Sequence, residues 1–163
     1  MLNMMIAVDG SPNSLQAVRH GVLLVQQGLR ANVVLAHVQK EASFLELATQ
    51  DSELIANASV EAGMDLIAPA IALLGVAGIS HDVDIRLGDV YATLLDIADD
   101  KGCDLIVIGA TGESTLGSLL IGSVSREVAR HSRVPVTIVK MPDLEDMTGN
   151  EDGSVLPDEG ADA

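Results

Sequence analysis

The sequence predicts an α/β fold: a single doubly wound, parallel sheet of five strands with helices on both faces, in a Rossmann-like arrangement. Short apolar runs alternate along the chain with longer amphipathic stretches, which is typical of successive βαβ units. Several short runs are almost continuously apolar, as expected for strands that are covered on both faces. Hydrophobic residues make up 48% of the 163-residue chain, which has one Phe, one Tyr and no Trp. We therefore expect one domain with an aliphatic core.

The chain opens with a predicted strand and helix. Residues 3–8 form an apolar run that is too short for a helix, which predicts a buried strand. The turn residues 9–14 end this strand, and Asn13 or Ser14 is expected to cap the helix that follows. Apolar residues then recur at helical spacing as far as Gly28, whose position favours the end of the helix.

A second strand and a longer helix come next. Residues 32–38 predict the strand, and His37 within it is interpreted as a hydrogen-bonded core residue. The segment 39–57 has weak periodicity and is expected to hold a loop and a short helix. Residues 58–76 predict a helix that Pro69 should break or kink unless it opens a second helix, because proline lacks an amide donor and clashes with the preceding turn.

The second half of the chain supplies three further strands and two helices. The predicted strands lie at 82–87, 104–108 and 134–139, and the predicted helices lie at 90–100 and 123–131. The third strand alternates polar and apolar residues, which indicates partial exposure. The fifth strand contains Pro135, which favours a sheet edge because proline cannot donate to a strand ladder.

Charge and hydropathy narrow the classes of partner. The formal net charge is −15, and eight acidic residues with no basic residue follow Lys140. A nucleic-acid interface is not expected, because it requires clustered Lys and Arg. The uncharged apolar run 66–79 is shorter than the ~20 residues of a membrane span. We therefore expect no membrane segment and assign this run to the core or to a subunit contact.

Two regions are expected: a folded domain at 1–140 and an acidic tail at 141–163. The tail has too few apolar residues to offset the entropy of ordering, which predicts disorder. Cys103 is the only cysteine, so no intramolecular disulfide can form, and we interpret it as a small buried hydrophobic residue. No signal-peptide pattern opens the chain, which makes a cytoplasmic location the expectation.

The stretch after the predicted fourth strand has the features of a phosphate-binding loop. Gly109 ends the strand, and residues rich in Gly, Ser and Thr lead to a helix start at Ser123. Glycines allow the backbone to approach a ligand, and a helix N-terminus offers unpaired N–H groups and a positive dipole end. The stretch lacks the lysine of a P-loop, and no dinucleotide fingerprint follows the first strand.

The glycine spacing of this loop also carries a family resemblance. Gly109, Gly112, Gly122 and Ser123 follow the pattern G-2x-G-9x-G-S, which resembles the nucleotide-binding signature of the ATP-binding branch of the universal stress protein family. The segments MMIAVDGSPNSLQAV and HSRVPVTIVK resemble the family's first strand and turn and its last strand. The resemblance covers residues 4–140 and implies a strand order of 3-2-1-4-5.

That order places strands 1 and 4 side by side where the winding reverses, and ligands of open α/β sheets bind at this reversal. Asp9 ends strand 1 and Gly109 ends strand 4, so the two motifs are expected to converge on one crevice. No catalytic residue and no metal-binding residue is predicted. The nucleotide-binding residues implied by the resemblance are Asp9, Gly10, Ser11, Val38, Gly109, Ala110, Gly112, Gly122, Ser123, Val124 and Ser125.

The resemblance also implies a role for each part of the crevice. Asp9 and Ser11 would lie near the ribose and phosphates, and Val38 would contact the adenine. The first two glycines of the signature would pass beneath the ribose and phosphates, and residues 122–125 would bind the phosphates through N–H and hydroxyl groups. The alternative for Asp9 is a turn former that bonds its own backbone. The alternative for Ser123 is a plain N-cap residue.

The charges of the loop do not decide which adenine nucleotide binds. No Lys or Arg occurs between Lys101 and Arg126. ATP would therefore depend on backbone amides, on Arg126, or on Mg²⁺ or Mn²⁺, and ADP or AMP is an alternative ligand. The histidines have no metal-ligand spacing and no nucleophile elbow is present. Efficient hydrolysis is not expected.

These observations predict a cytoplasmic, nucleotide-binding regulatory protein of the stress response that acts on an unidentified protein partner. A slow ATPase and an interaction module without a nucleotide are the two alternatives. A homodimer through strand 134–139 is also expected, because an uncovered apolar edge is a template for pairing and the family commonly dimerises there.

Overall fold

The computed structural model describes residues 1–40, 52–111 and 121–141, and the side chains of 52–60 are not described. These ranges contain five strands and four helices. The strands are β1 (Leu2–Ala7), β2 (Ala31–Gln39), β3 (His81–Leu87), β4 (Leu105–Gly109) and β5 (Val136–Val139). The helices are α1 (Pro12–Gln26), α2 (Ser52–Val76), α3 (Val90–Asp100) and α4 (Ser123–His131).

All five strands are parallel and form one sheet in the order β3-β2-β1-β4-β5. The predicted fold class and strand order are therefore confirmed. β1 is the central strand, and its Met5 is paired with Val34 of β2 on one side and with Ile106 of β4 on the other. From β1 the chain adds β2 and β3 toward one edge of the sheet, and from β4 it adds β5 toward the other edge. The winding therefore reverses between β1 and β4.

Helices cover both faces of the sheet because successive strand residues point to opposite sides. On one face, alternate residues of β1 and β2 pack against α1 and α2; this cluster includes Met4, Ile6, Val18, Val33, Leu35, Ile67 and Leu74. On the other face, the intervening residues pack against α3 and α4; this cluster includes Met5, Ala36, Val38, Leu94, Ile97, Ile106 and Val128. The core of the described residues is aliphatic, as predicted.

The first helix begins earlier than predicted. Ser11 is its N-cap, and the Ser11 side chain accepts a hydrogen bond of 3.2 Å from the Ser14 amide. Pro12 occupies the first turn, where its restricted φ is favourable and its missing N–H has no cost. The prediction of Asn13 or Ser14 as the cap is wrong, because the position of Pro12 decides where the helix starts.

The second helix runs through Pro69 without a break, so the predicted break is wrong. Pro69 and Asp65 are both exposed. The Asp65 carbonyl that loses its helical partner can therefore bond to water. On the opposite side of the helix, Ile67 and Leu74 are fully buried, and this burial holds the helix to the sheet despite the proline.

The boundaries of the second helix also differ from the prediction. α2 begins at Ser52 instead of at residue 58, so it includes part of the segment that was expected to be a loop and a short helix. The remainder of that expectation, residues 41–51, lies outside the described residues. Within the described ranges no helix has both the length and the hydropathy needed to cross a membrane.

β5 is an edge strand, as Pro135 predicted, but it begins at Val136 instead of residue 134. Pro135 has no N–H and contributes only its carbonyl, which accepts a 3.0 Å hydrogen bond from the Ile106 amide. β3 forms the other edge, and its residues are mostly half-buried, as the alternation predicted.

Two further expectations concern the end of the chain and its cysteine. Cys103 is buried, as interpreted, and burial together with the charge of Asp104 raises the pKa of its thiol. The thiol is therefore the stable form of this residue at neutral pH. The predicted disordered tail at 141–163 lies outside the described residues apart from Met141.

Candidate functional site

Two turns that are far apart in the sequence meet at the carboxyl edge of the sheet. One follows β1 and leads into α1; the other follows β4. The side-chain amide of Asn13 donates a hydrogen bond to the hydroxyl of Thr111. Gly109 packs directly on the main chain of Asn13, since a Cβ at Gly109 would lie 2.8 Å from the carbonyl carbon and oxygen of Asn13. The structure thus brings the two motifs together at the reversal of the winding, as expected.

The turn after β1 is organised by Asp9. One carboxylate oxygen of Asp9 accepts a 3.0 Å hydrogen bond from the Ser11 amide, while the Asp9 amide donates to the Ser14 hydroxyl oxygen at 3.3 Å. Gly10 has a φ of 81°, a conformation that favours glycine. Asp9 therefore forms the local turn that was the alternative to a ligand-binding role, and it also lies on the wall of the crevice.

The first turn of α4 lies at the same edge of the sheet. Gly122 is the N-cap, and its amide donates a 2.7 Å hydrogen bond to the Ala110 carbonyl. This bond connects the end of β4 to the start of α4. Because Gly122 has no side chain to cap the helix, the amides of residues 123–125 have no acceptor within the described part of the chain. They form a donor site with the positive end of the helix dipole behind it.

Ser125 attaches this helix to β4. Its hydroxyl donates a 2.7 Å hydrogen bond to the Gly109 carbonyl, and its side chain is buried. The hydroxyl proton is thus used within the protein. Ser125 can offer a ligand its backbone amide, whereas the hydroxyl of Ser123, at an exposed position, has no such bond within the described residues.

A cavity of about 490 Å³ lies between these turns. It extends across the sheet edge, because Leu66 of α2 lines it from one face and Leu94 of α3 lines it from the other. The predicted binding residues on its wall are Asp9, Val38, Gly109, Gly122, Ser123, Val124 and Ser125.

Four other predicted residues are not on that wall. Gly10 forms the turn, Ser11 is 2% exposed and caps α1, and Ala110 accepts the hydrogen bond from Gly122. These three residues support the crevice through main-chain conformation, helix capping or a main-chain hydrogen bond, and their side chains do not line it. Gly112 lies outside the described residues.

Four consecutive residues on the wall, 37–40, belong to the end of β2 and the position directly after it. Only Val38 among them was assigned to the site from the sequence. Lys40 is exposed at the carboxyl end of β2. It also lines an adjoining cavity of about 430 Å³ together with Ser123, Val124 and Glu127. The structure therefore places a cation near the first turn of α4. Its position directly after a strand that pairs with β1 is the sequence signal that could have identified it.

His37 was interpreted as a satisfied core residue, and this is correct for one ring nitrogen only. Nδ1 lies 2.8 Å from the Val8 carbonyl oxygen, and the residue is 4% exposed. Nε2 is shielded from solvent and has no hydrogen-bond partner among the described residues. The interpretation holds only in part because β2 extends past His37 to the wall of the crevice, so His37 both packs in the core and lines the crevice.

The residues around the crevice lack the donor set of a resident metal. In the described ranges no cluster of three His, Cys, Asp or Glu residues is arranged to hold a metal ion. The crevice instead combines an apolar wall, a carboxylate turn and a helix N-terminus with unpaired amides. Together with the parallel sheet, these features define an α/β protein with a crevice at the reversal of its winding, the place where ligands of open α/β sheets bind.

Comparison with known proteins gives the family. The model of the universal stress protein family matches residues 1–140, and the chain belongs to this family. It is 30% identical over 141 residues to universal stress protein MJ0531 of Methanocaldococcus jannaschii, a match that covers 86% of this chain and 82% of that protein.

Solved structures agree with this assignment. The structure of MJ0577, a universal stress protein from the same organism, has a TM-score of 0.73 and 25% identity, and the match covers 87% of this chain and 97% of that one. A universal stress protein solved in complex with cAMP has a TM-score of 0.62 and 27% identity, with coverage of 85% and 96%.

The contact between Gly109 and Asn13 makes a testable prediction. Gly109→Ala should lower the free energy of unfolding by about 1–3 kcal/mol, because the new methyl group meets main-chain atoms that cannot rotate away. The matched control is Gly75→Ala in α2, where a Cβ would have no neighbour within 4 Å. That variant should be neutral or stabilised by up to about 1 kcal/mol. Urea denaturation measures both, and equal stabilities of the two variants would contradict the prediction.

Proposed function

We propose that this protein binds an adenine nucleotide in the crevice and acts as a nucleotide-responsive regulator in the stress response. The observation that carries the proposal is the convergence of the Asp9 turn and the first turn of α4 on one cavity of about 490 Å³. The acceptor oxygens of Asp9 suit ribose hydroxyls, and the amides of residues 123–125 suit a phosphate. Val38 offers the base an apolar surface.

The size and chemistry of the cavity support a ligand of this kind. Its volume is within the range of small-molecule sites, about 300–1,000 Å³. The relative solved with cAMP supports the choice of adenine nucleotide, since cAMP contains adenine, ribose and phosphate and that protein shares 27% of its residues with this chain.

In this proposal Lys40 supplies the cation that the glycine loop lacks. It lines the adjoining cavity together with Ser123 and Val124, so its ammonium group and the amides of α4 act on the same phosphates. If the ligand is ATP, Mg²⁺ or Mn²⁺ is held mainly by the phosphates and water. A bound nucleotide would order contacts between the turns and so change the surface that a protein partner meets.

Isothermal titration tests the proposal directly. ATP, ADP and AMP are titrated into the protein, in the presence of Mg²⁺ and again in EDTA. We expect saturable heat with one binding site per chain for at least one of the three. The comparison also shows whether a divalent cation contributes. The absence of both heat and a thermal shift at millimolar concentrations of all three nucleotides would refute an adenine-nucleotide site.

Lys40→Gln tests the role of the Lys40 ammonium group in phosphate binding. It should weaken ATP binding by about 3- to 10-fold, because one charge-assisted hydrogen bond to a phosphate is lost. AMP, which carries less charge, should be affected less. The control is Lys101→Gln at the end of α3, where the ammonium group lies 3.7 Å from Asp84. The assigned role is wrong if both variants bind ATP with equal affinity.

We also propose that two copies of the chain pair through β5. This strand is an edge with β4 as its one neighbour in the sheet, and its four residues, VTIV, are half-buried. An apolar edge that retains unpaired main-chain groups is a template for a second strand.

Multi-angle light scattering at tens of micromolar protein measures the oligomeric state. The expected mass is twice the chain mass of 16.9 kDa, and dilution should shift it toward the monomer if pairing is reversible. A mass that stays at that of a single chain across the concentration range would rule out the dimer.

A further inference from the structure

Two residues that line the crevice each carry a shielded hydrogen-bonding atom with no partner among the described residues. The two atoms are Nε2 of His37 and Oε1 of Gln39, and both residues line the cavity of about 490 Å³. Buried polar groups in native proteins are nearly always hydrogen-bonded, and an unpaired one is unfavourable. Two such atoms in neighbouring residues of one cavity wall therefore point to a ligand that supplies their partners.

The main chain determines the role of each nitrogen in the His37 ring. Nδ1 lies 2.8 Å from the carbonyl oxygen of Val8, which can only accept a hydrogen bond, so Nδ1 carries a proton. In the neutral ring Nε2 is consequently an acceptor. The ring also packs against α2, since a Cβ at Gly63 would lie 3.0 Å from the Cδ2 atom of His37. Its orientation is thus held from two sides.

Gln39 provides a second acceptor on the same face of β2. Residues 37 and 39 share a face because strand side chains alternate, whereas Val38 faces α3 and α4. The main-chain carbonyl of Gln39 accepts a 3.0 Å hydrogen bond from the Gly88 amide, which holds its backbone in place. The Gln39 residue as a whole is half-buried, and its Oε1 lies beside α2, since a Cβ at Gly63 would lie 3.5 Å from that atom.

We infer that His37 Nε2 and Gln39 Oε1 accept hydrogen bonds from two donor groups of the bound nucleotide and thereby select nucleotides that carry such a pair. This inference rests on the proposed function. Adenosine nucleotides carry two suitable pairs: the N–H groups of the adenine amino group and the O–H groups of the ribose. Both acceptors are shielded from solvent, so the ligand must displace part of the wall to reach them. Rotation of Gln39 is the smallest such movement.

Titration with three nucleotides distinguishes the two sources of donors. ITP replaces the adenine amino group with a carbonyl, and 2′,3′-dideoxy-ATP lacks both ribose hydroxyls. We expect one of them to bind the wild-type protein about 10-fold more weakly than ATP, because a buried acceptor then faces no donor. A weaker affinity for ITP assigns the pair to the base, and a weaker affinity for the dideoxy nucleotide assigns it to the sugar.

Two variants connect this preference to the two side chains. Gln39→Leu removes Oε1, and His37→Asn removes Nε2 while its amide can still donate to the Val8 carbonyl. Each should lower the affinity for ATP toward that of the weaker analogue and leave the affinity for that analogue unchanged. The control is Gln26→Leu in the exposed last turn of α1, which should keep the full preference.

The outcomes separate this inference from the proposed function. If ATP, ITP and dideoxy-ATP bind equally well to the wild-type protein, or if Gln39→Leu retains the full preference, the inference is overturned and the nucleotide site stands. If none of these three nucleotides binds and ADP and AMP do not bind either, the proposed function fails and the inference fails with it. Should His37→Asn lower the melting temperature strongly, the Gln39→Leu result alone decides.

Discussion

The close approach of Gly109 to the main chain of Asn13 is the constraint on which the crevice depends. A side chain at residue 109 would need space that the carbonyl group of Asn13 already occupies. Because Gly109 has none, β4 can end directly against the start of α1. The hydroxyl of Ser125 then binds the Gly109 carbonyl and brings α4 to the same point. One glycine thus positions both turns and the helix N-terminus.

The crevice that results separates its hydrogen-bonding groups by type. Acceptors lie on the β1 and β2 side, at Asp9, His37 and Gln39, and amide donors lie on the α4 side. A ligand with donors at one end and phosphate oxygens at the other fits this polarity. Backbone amides carry no net charge, so they can attract a phosphate without a cluster of cations, in a chain whose net charge is −15. Lys40 adds one positive charge beside them.

Three differences between the predicted and observed elements each occur at a proline. The N-cap of α1 is Ser11 instead of the predicted Asn13 or Ser14, because Pro12 is favourable in the first turn of a helix. β5 starts after Pro135, because pairing in a β-ladder needs an N–H group. Pro69 is tolerated inside α2 because its lost hydrogen bond faces water while Leu74 on the opposite side is buried. The first two outcomes follow from the local chemistry of proline, whereas the third depended on burial and solvent access, which a local pattern does not contain.

Local patterns in the chain were enough to predict the strands of the described residues and their aliphatic core, because side-chain periodicity and turn chemistry act over a few residues. The strand order was implied by the family resemblance, and the structure confirmed it. The membership of Lys40, His37 and Gln39 in the crevice depended on the folded chain. Those residues reach the site because β2 pairs with β1 and because the end of β2 lies opposite α4. Both contacts join segments that are distant in the chain, so the local periodicity of the sequence does not reveal them.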